Sequence, residues 1–218
     1  EPNNEHSLAH NFVRTVFEDS KGHLLIGTYI GIQMYDPATD NFTPLAKLED
    51  TGETLESNIN SFIERKNGEI WVSGNVLCKL DIKDHLLTVR KVDIAVTSPG
   101  SLVEDKKQNV WMAKGEEGVY QLTPDNQLTL HLSKDNGYVK SICEDQRGNI
   151  YVGSIRKGLF IYDKERKTFV PVDLKEKGEL PVCFLYSGIP NELYIGTDGN
   201  DSVDGKYKLL GSYRLRDG

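Results

Sequence analysis

Three Glu-Asp pairs, at residues 18–19, 104–105 and 144–145, are the residues whose type and spacing most invite a catalytic reading. Two carboxylates side by side suggest general acid and base. The surrounding residues argue otherwise. Each pair ends an alternating run such as VRTVFED, which reads as a strand, and neighbouring strand residues point to opposite faces. The two carboxylates of a pair therefore cannot grip one substrate together. Aspartate at a strand end commonly accepts turn amide hydrogens, and that structural role is the one expected here. The second copy of the run carries Glu64-Arg65 and the fifth Ser187-Gly188, a variation that a turn tolerates.

Other reactive residue types give no stronger signal. The stretch DGNDSVDG at 198–205 faintly resembles a calcium loop, but position six is Val203 and position twelve is Leu209, where glycine and glutamate are needed. Cys78, Cys143 and Cys183 form an odd set at unrelated spacings and are expected as small buried hydrophobes rather than metal ligands or disulfide partners. No metal, cofactor or catalytic residue is expected. A net charge of −7 argues against nucleic acid as a partner. No apolar run reaches the length of a membrane-spanning helix, and EPNNEHSLAH lacks the order of a signal peptide.

The elements that carry these pairs repeat. EDSKGHLLIGT at 18–28 returns as EDQRGNIYVGS at 144–154. Anchored on its bulky residue, the phrase occurs five times, at Leu25, Trp71, Trp111, Tyr151 and Tyr194, spaced by 46, 40, 40 and 43 residues. Three residues before each anchor stand Gly22, Gly68, Gln108, Gly148 and Asn191, the place of a hairpin turn with positive φ. Nine residues before come Val16, Phe62, Leu102, Ile142 and Leu185, closing a preceding strand. A third strand follows at GIQMYD, VLCKLD, GVYQLT, GLFIYD and GKYKLL, and a fourth at NFTPL, LLTVRKV, QLTLHL, TFVPVD and SYRLR. Four short antiparallel strands at a period of 40–46 residues predict an all-β propeller with almost no helix. The five four-stranded blades would span about 12–48, 58–93, 99–132, 138–174 and 181–216 of one region, residues 1–218.

The repeat resembles the two-component regulator propeller family. SLAHNFVRTVFEDSKGHLLIGT followed by GIQMYDPATDNF carries the pattern nearly whole, and VKSICEDQRGNIYVGS with GLFIYD and TF almost as well. The second and third copies keep tryptophan and the apolar spacing, and the fifth departs most. The resemblance implies the periplasmic sensor region of a hybrid two-component histidine kinase, recognising polysaccharide-derived oligosaccharides. It also implies partners within a parent membrane sensor, a homodimer formed through that parent, and no enzymatic activity of its own. Family sensors carry seven-bladed propellers, so the chain is expected to be part of a larger ring, unstable or self-associating when isolated.

In a propeller the loops joining strand two to three, and strand four to the next blade, share one face, and here those loops differ among copies while the hairpin phrase does not. Sugars bind to aromatic faces and planar hydrogen-bonding groups, which makes Tyr29, Asn75, Arg156 and Asp198 the ligand candidates. Gly22, Gly68 and Gly148 are structural turn residues, and Trp71 and Trp111 belong to the core. The alternative is a propeller glycoside hydrolase or polysaccharide lyase in which Asp198, Glu116 and Glu117 converge across a scissile bond. The D-x-x-G turn differs from the S-x-D-x-G-x-T-W turn of sialidase-type propellers, and no Trp-Asp dipeptide marks an interaction propeller of WD type.

Overall fold

The computed structural model describes residues 6–132, 137–173, 181–188, 192–197 and 211–214. Asn191, Asp198, the stretch 198–205 and the run GKYKLL at 205–210 lie outside the described residues. The chain is all-β, and among the described residues there is no helix. It divides into two compact units, Glu1–Pro99 and Gly100–Gly218.

The first unit opens with an antiparallel sheet in chain order, β1 (Val13–Glu18), β2 (Leu24–Thr28), β3 (Ile32–Asp36) and β4 (Asn41–Phe42). Its second sheet is β6 (Ser61–Glu64), β7 (Ile70–Ser73), β8 (Leu77–Lys83) and β9 (Leu86–Lys91), with β5 (Lys47–Leu48) added parallel to β9. This fifth strand departs from the four-stranded expectation. It comes from the segment between the sheets, whose backbone first continues the pairing with β3 and then crosses to the outer edge of the next sheet.

In the second unit, β10 (Leu102–Glu104), β11 (Val110–Lys114), β12 (Gly118–Leu122) and β13 (Leu128–Leu132) form one four-stranded sheet. A second contains β14 (Val139–Glu144), β15 (Ile150–Ser154), β16 (Gly158–Asp163) and β17 (Thr168–Pro171). The last sheet has β18 (Val182–Tyr186), β19 (Glu192–Thr197) and β20 (Gly211–Arg214). The SYRLR run, expected as a fourth strand, instead takes the third place: Gly211–Arg214 pairs directly with β19.

The second strand of each sheet explains the apolar half of the repeated phrase. β7 and β15 are buried along their whole length and β2 along nearly all of it, and β15 packs against the β10–β13 sheet on one face and the β18–β20 sheet on the other. Leu25, Ile32, Val72 and Val89 centre the first unit, and Trp111, Val119, Val152 and Phe160 the second. A further cluster gathers Tyr151, Leu159, Val182 and Ile195. The glycine of LLIGT has a packing reason. A Cβ on Gly27 would stand 2.5 Å from Thr15 Cγ2 and 2.6 Å from Ile59 Cγ2, and one on Gly153 would stand 2.5 Å from Val182 Cγ1. At the outer strands, His131 lies against Trp111 and Tyr162, at ring separations of 5.1 and 5.2 Å, and burial keeps its pKa below the ordinary histidine value.

Candidate ligand-binding loops

The Glu-Asp pairs build the hairpins. Asp105 Oδ1 accepts the backbone N–H of Lys107 (2.8 Å) and of Asn109 (2.9 Å), while its Oδ2 accepts from Asn109 Nδ2 (2.7 Å) and Trp111 Nε1 (2.8 Å). Asp145 repeats this with Arg147 N, Asn149 N and Asn149 Nδ2, and Asp19 with Lys21 N, His23 N and the His23 ring. Burial works to raise the pKa of Asp19, but these hydrogen bonds outweigh it and hold the carboxyl below its usual value. At the turn position Gly22, Gly68 and Gly148 have φ of +84°, +82° and +80°, and Gln108 adopts +66°.

Copies lacking the aspartate move the acceptor. Arg65 stands where the aspartate would be, and Glu69, four residues on, accepts Trp71 Nε1 at 3.1 Å and Lys79 Nζ at 2.6 Å. Lys79, together with the indole N–H and the Asn67 side chain, pulls the Glu69 pKa down to about 2 against the opposing effect of burial. Gly188 and Glu192 repeat the exchange, and Tyr194 Oη donates to Glu192 Oε2 at 2.7 Å. Sequence reasoning missed this, although Asp with His or Asn four residues later, against Arg or Gly with Glu, is visible along the chain.

The glutamate that precedes the aspartate's position has a separate task in the second and fourth copies. Glu64 accepts from Ser20 N (2.7 Å) and Ser20 Oγ (2.5 Å), and Glu144 accepts from Lys106 N (2.9 Å), so each fastens its sheet to the turn of the sheet before. Ser187, in the glutamate's place, donates instead to the Glu144 carbonyl.

The loops after the second strands sit on this scaffold. In the first unit Thr28 Oγ1 accepts Ile30 N and donates to Gly31 O, closing a tight loop that leaves Tyr29 53% exposed. Tyr29 stacks on His10 at 6.0 Å and meets Phe12 edge-on at 6.1 Å, while its N–H donates to Phe12 O. Asn75 is exposed; its N–H donates to Ser57 Oγ at 2.9 Å and its carbonyl accepts Ser98 N at 2.9 Å. Arg14 donates to Asn60 Oδ1 and Asn60 in turn to Pro99 O, both at 3.0 Å.

In the second unit Ser154 Oγ accepts the amides of Arg156 and Lys157. Arg156, 61% exposed at its side chain, pairs with Glu116 at 3.2 Å, and Lys114 pairs with Glu117 at 2.8 Å. Tyr29 and Asn75 belong to one unit and Arg156 to the other. Glu116 and Glu117, the described members of the lyase-type carboxylate set, are thus committed to ion pairs on the surface. Among the described residues no group of three or more His, Cys, Asp or Glu is placed to hold a metal ion. Cys78 and Cys143 are buried, their thiols pushed up to about 11 and about 12, chiefly by desolvation. Cys183 differs from the expectation of full burial, being only partly covered at a bulge of β18.

Residues 7–29 and 133–156 match the two component regulator propeller family, and these are the first and fourth copies of the phrase. No curated protein matches the chain in sequence. Among solved structures, the chain is similar to the extracellular domain assigned to the hybrid two component system BT4673 of B. thetaiotaomicron (17% identity, TM-score 0.75, 99% of this chain and 30% of that one). A second extracellular domain, from the BT3049 system of the same organism, gives 18% identity and TM-score 0.67 over 90% of this chain and 27% of that one. A catalytically inactive virginiamycin B lyase from Staphylococcus aureus, solved with quinupristin, gives 12% identity and TM-score 0.68 over 96% and 72%. The chain spans less than a third of the length of the two-component domains, and at these identities the likeness establishes the propeller fold.

Proposed function

We propose that the chain is a ligand-sensing propeller module in the extracytoplasmic part of a two-component receptor, that it recognises oligosaccharides, and that it does no chemistry itself. One observation carries this reading: exposed Phe12 and Tyr29, with half-buried His10 stacked on Tyr29, stand on loops that differ from copy to copy, above hairpins that are built alike. Aromatic faces at a solvent-exposed loop suit the C–H faces of sugar rings, and rigid hairpins keep them in place without the cost of ordering a mobile loop. Asn75 and Arg156 supply planar hydrogen-bonding groups on equivalent loops of their units, and Asp198 is proposed with them from its place in the sequence. The match of two copies to a regulator propeller, and the extracellular domains among the structural neighbours, support an extracytoplasmic location and a parent two-component receptor; a periplasmic site and dimerisation through that parent are part of the proposal.

The test is calorimetric titration of the chain with a panel of neutral and acidic oligosaccharides released from plant and host polysaccharides. Saturable binding weakened about ten-fold by Tyr29→Ala is the expected result, a loss of the size that removing one stacked aromatic produces. A panel with no binder, or binding indifferent to Tyr29, overturns it.

A further inference from the structure

The first strands of the first, fourth and last sheets contain a β-bulge at the same place; in the last sheet the extra residue is Cys183, and in the other two it is basic. Val13 pairs with Thr28 and Thr15 with Gly27, leaving Arg14 as the extra residue; Val139 pairs with Ser154 and Ser141 with Gly153, leaving Lys140. A bulge turns a side chain out of the regular alternation, and such features concentrate at binding sites. Both side chains are exposed, Lys140 has no partner among the described residues, and Arg14 has only the neutral Asn60 amide. Two residues before each base stands an exposed aromatic, Phe12 at 64% and Tyr138 at 37%. The carbonyl of each aromatic is tied back to the loop after the second strand, Phe12 O by Tyr29 N (3.2 Å) and Tyr138 O by Ile155 N (3.0 Å). The chain thus writes Phe-Val-Arg and Tyr-Val-Lys at equivalent bulges, once in each unit.

Deepening the oligosaccharide reading and resting on it, we infer that each aromatic-Val-basic bulge is a subsite for an acidic sugar residue, the ring lying on Phe12 or Tyr138 and its carboxylate or sulfate meeting Arg14 or Lys140. On a protein of net charge −7, two unneutralised bases at matched, re-aimed positions favour an anion there against the general field. The aromatic supplies sequence-tolerant stacking and the base supplies selection for acidic over neutral sugars, through a charge-assisted hydrogen bond that weakens with salt.

The experiment titrates the 218-residue chain with trigalacturonic acid, its methyl ester and sodium sulfate. The acid is expected to bind about ten-fold more tightly than the ester, the value of one charge-assisted hydrogen bond. Arg14→Gln combined with Lys140→Gln should abolish that preference with the melting temperature unchanged, and Lys164→Gln, an exposed base outside either bulge, should leave it intact. Equal binding of acid and ester, or of the neutral panel alone, refutes the acidic subsites while sparing the oligosaccharide reading. Displacement of the acid by an equal concentration of sulfate also refutes them, as adventitious anion binding. Failure of every oligosaccharide refutes both.

Discussion

The exchange of acceptors between Asp105-type and Glu69-type hairpins can be tested by moving one design into the other's place. Asp105→Ala removes a carboxylate holding four donors. The Lys107 amide lies on an exposed turn residue and regains water. Trp111, 1% exposed, and the amide and side chain of Asn109, a residue 7% exposed, cannot do so fully. Three stranded donors at about 1–3 kcal/mol each give a loss of at least about 3 kcal/mol once partial relaxation is allowed. Adding Asn109→Glu should recover about 1–2 kcal/mol, because a glutamate there can take the indole N–H as Glu69 takes that of Trp71. In the parent background Asn109→Glu should destabilise, since its carboxylate would face that of Asp105. The sign of the Asn109→Glu effect therefore reverses with residue 105, a coupling that a double-mutant cycle isolates. Urea unfolding followed by Trp111 fluorescence, with Trp71→Phe throughout to leave one indole, measures it. A loss below about 0.5 kcal/mol for Asp105→Ala, or an Asn109→Glu effect of the same sign in both backgrounds, refutes the reasoning.

Other outcomes follow from the same geometry. Gln108→Gly should raise stability by about 0.5–1 kcal/mol, because φ of +66° strains a glutamine, whereas Gly148→Val should lower it by about 1–2 kcal/mol; denaturation midpoints check both. Glu69, lowered from 4.5 to about 2, favours the folded state most above pH 4.5, and that share is lost as pH falls toward 2; Glu69→Gln should flatten this acid limb. His131, whose pKa is lowered by burial, resists protonation in the folded state, so stability should fall as pH drops below 6.5, and His131→Phe should remove that dependence in a pH series of melts. A thiol reagent under native conditions should modify Cys183 well before Cys78 or Cys143; equal rates would contradict their burial.

What the sequence made legible was local. The hairpin phrase could be read because its turn, its alternation and its apolar returning strand all lie within eleven residues. The parallel strand Lys47–Leu48 could not, being two residues long and paired with a strand forty residues on. Nor could the place of Gly211–Arg214, since strand patterning says that a run is extended and not which edge it joins. The bulges at Arg14 and Lys140 escaped for a related reason: one unpaired residue leaves the alternation of the remainder nearly intact. For the candidate site, Tyr29 was nameable from its loop, but its companions His10 and Phe12 come from an adjoining segment that only the fold brings to it.

The glutamate clasps bear on how such a chain can change over generations. Glu64 and Glu144 reach back to main-chain amides in the preceding sheet's turn, at Ser20 and Lys106, and a main-chain amide is there whichever residue other than proline occupies the position. A repeat gained by gene duplication would therefore find its predecessor's turn already equipped to receive its glutamate, with no matching substitution required. Array length and loop content can then drift independently, and new binding preferences can be sampled one loop at a time while the joints between repeats stay compatible.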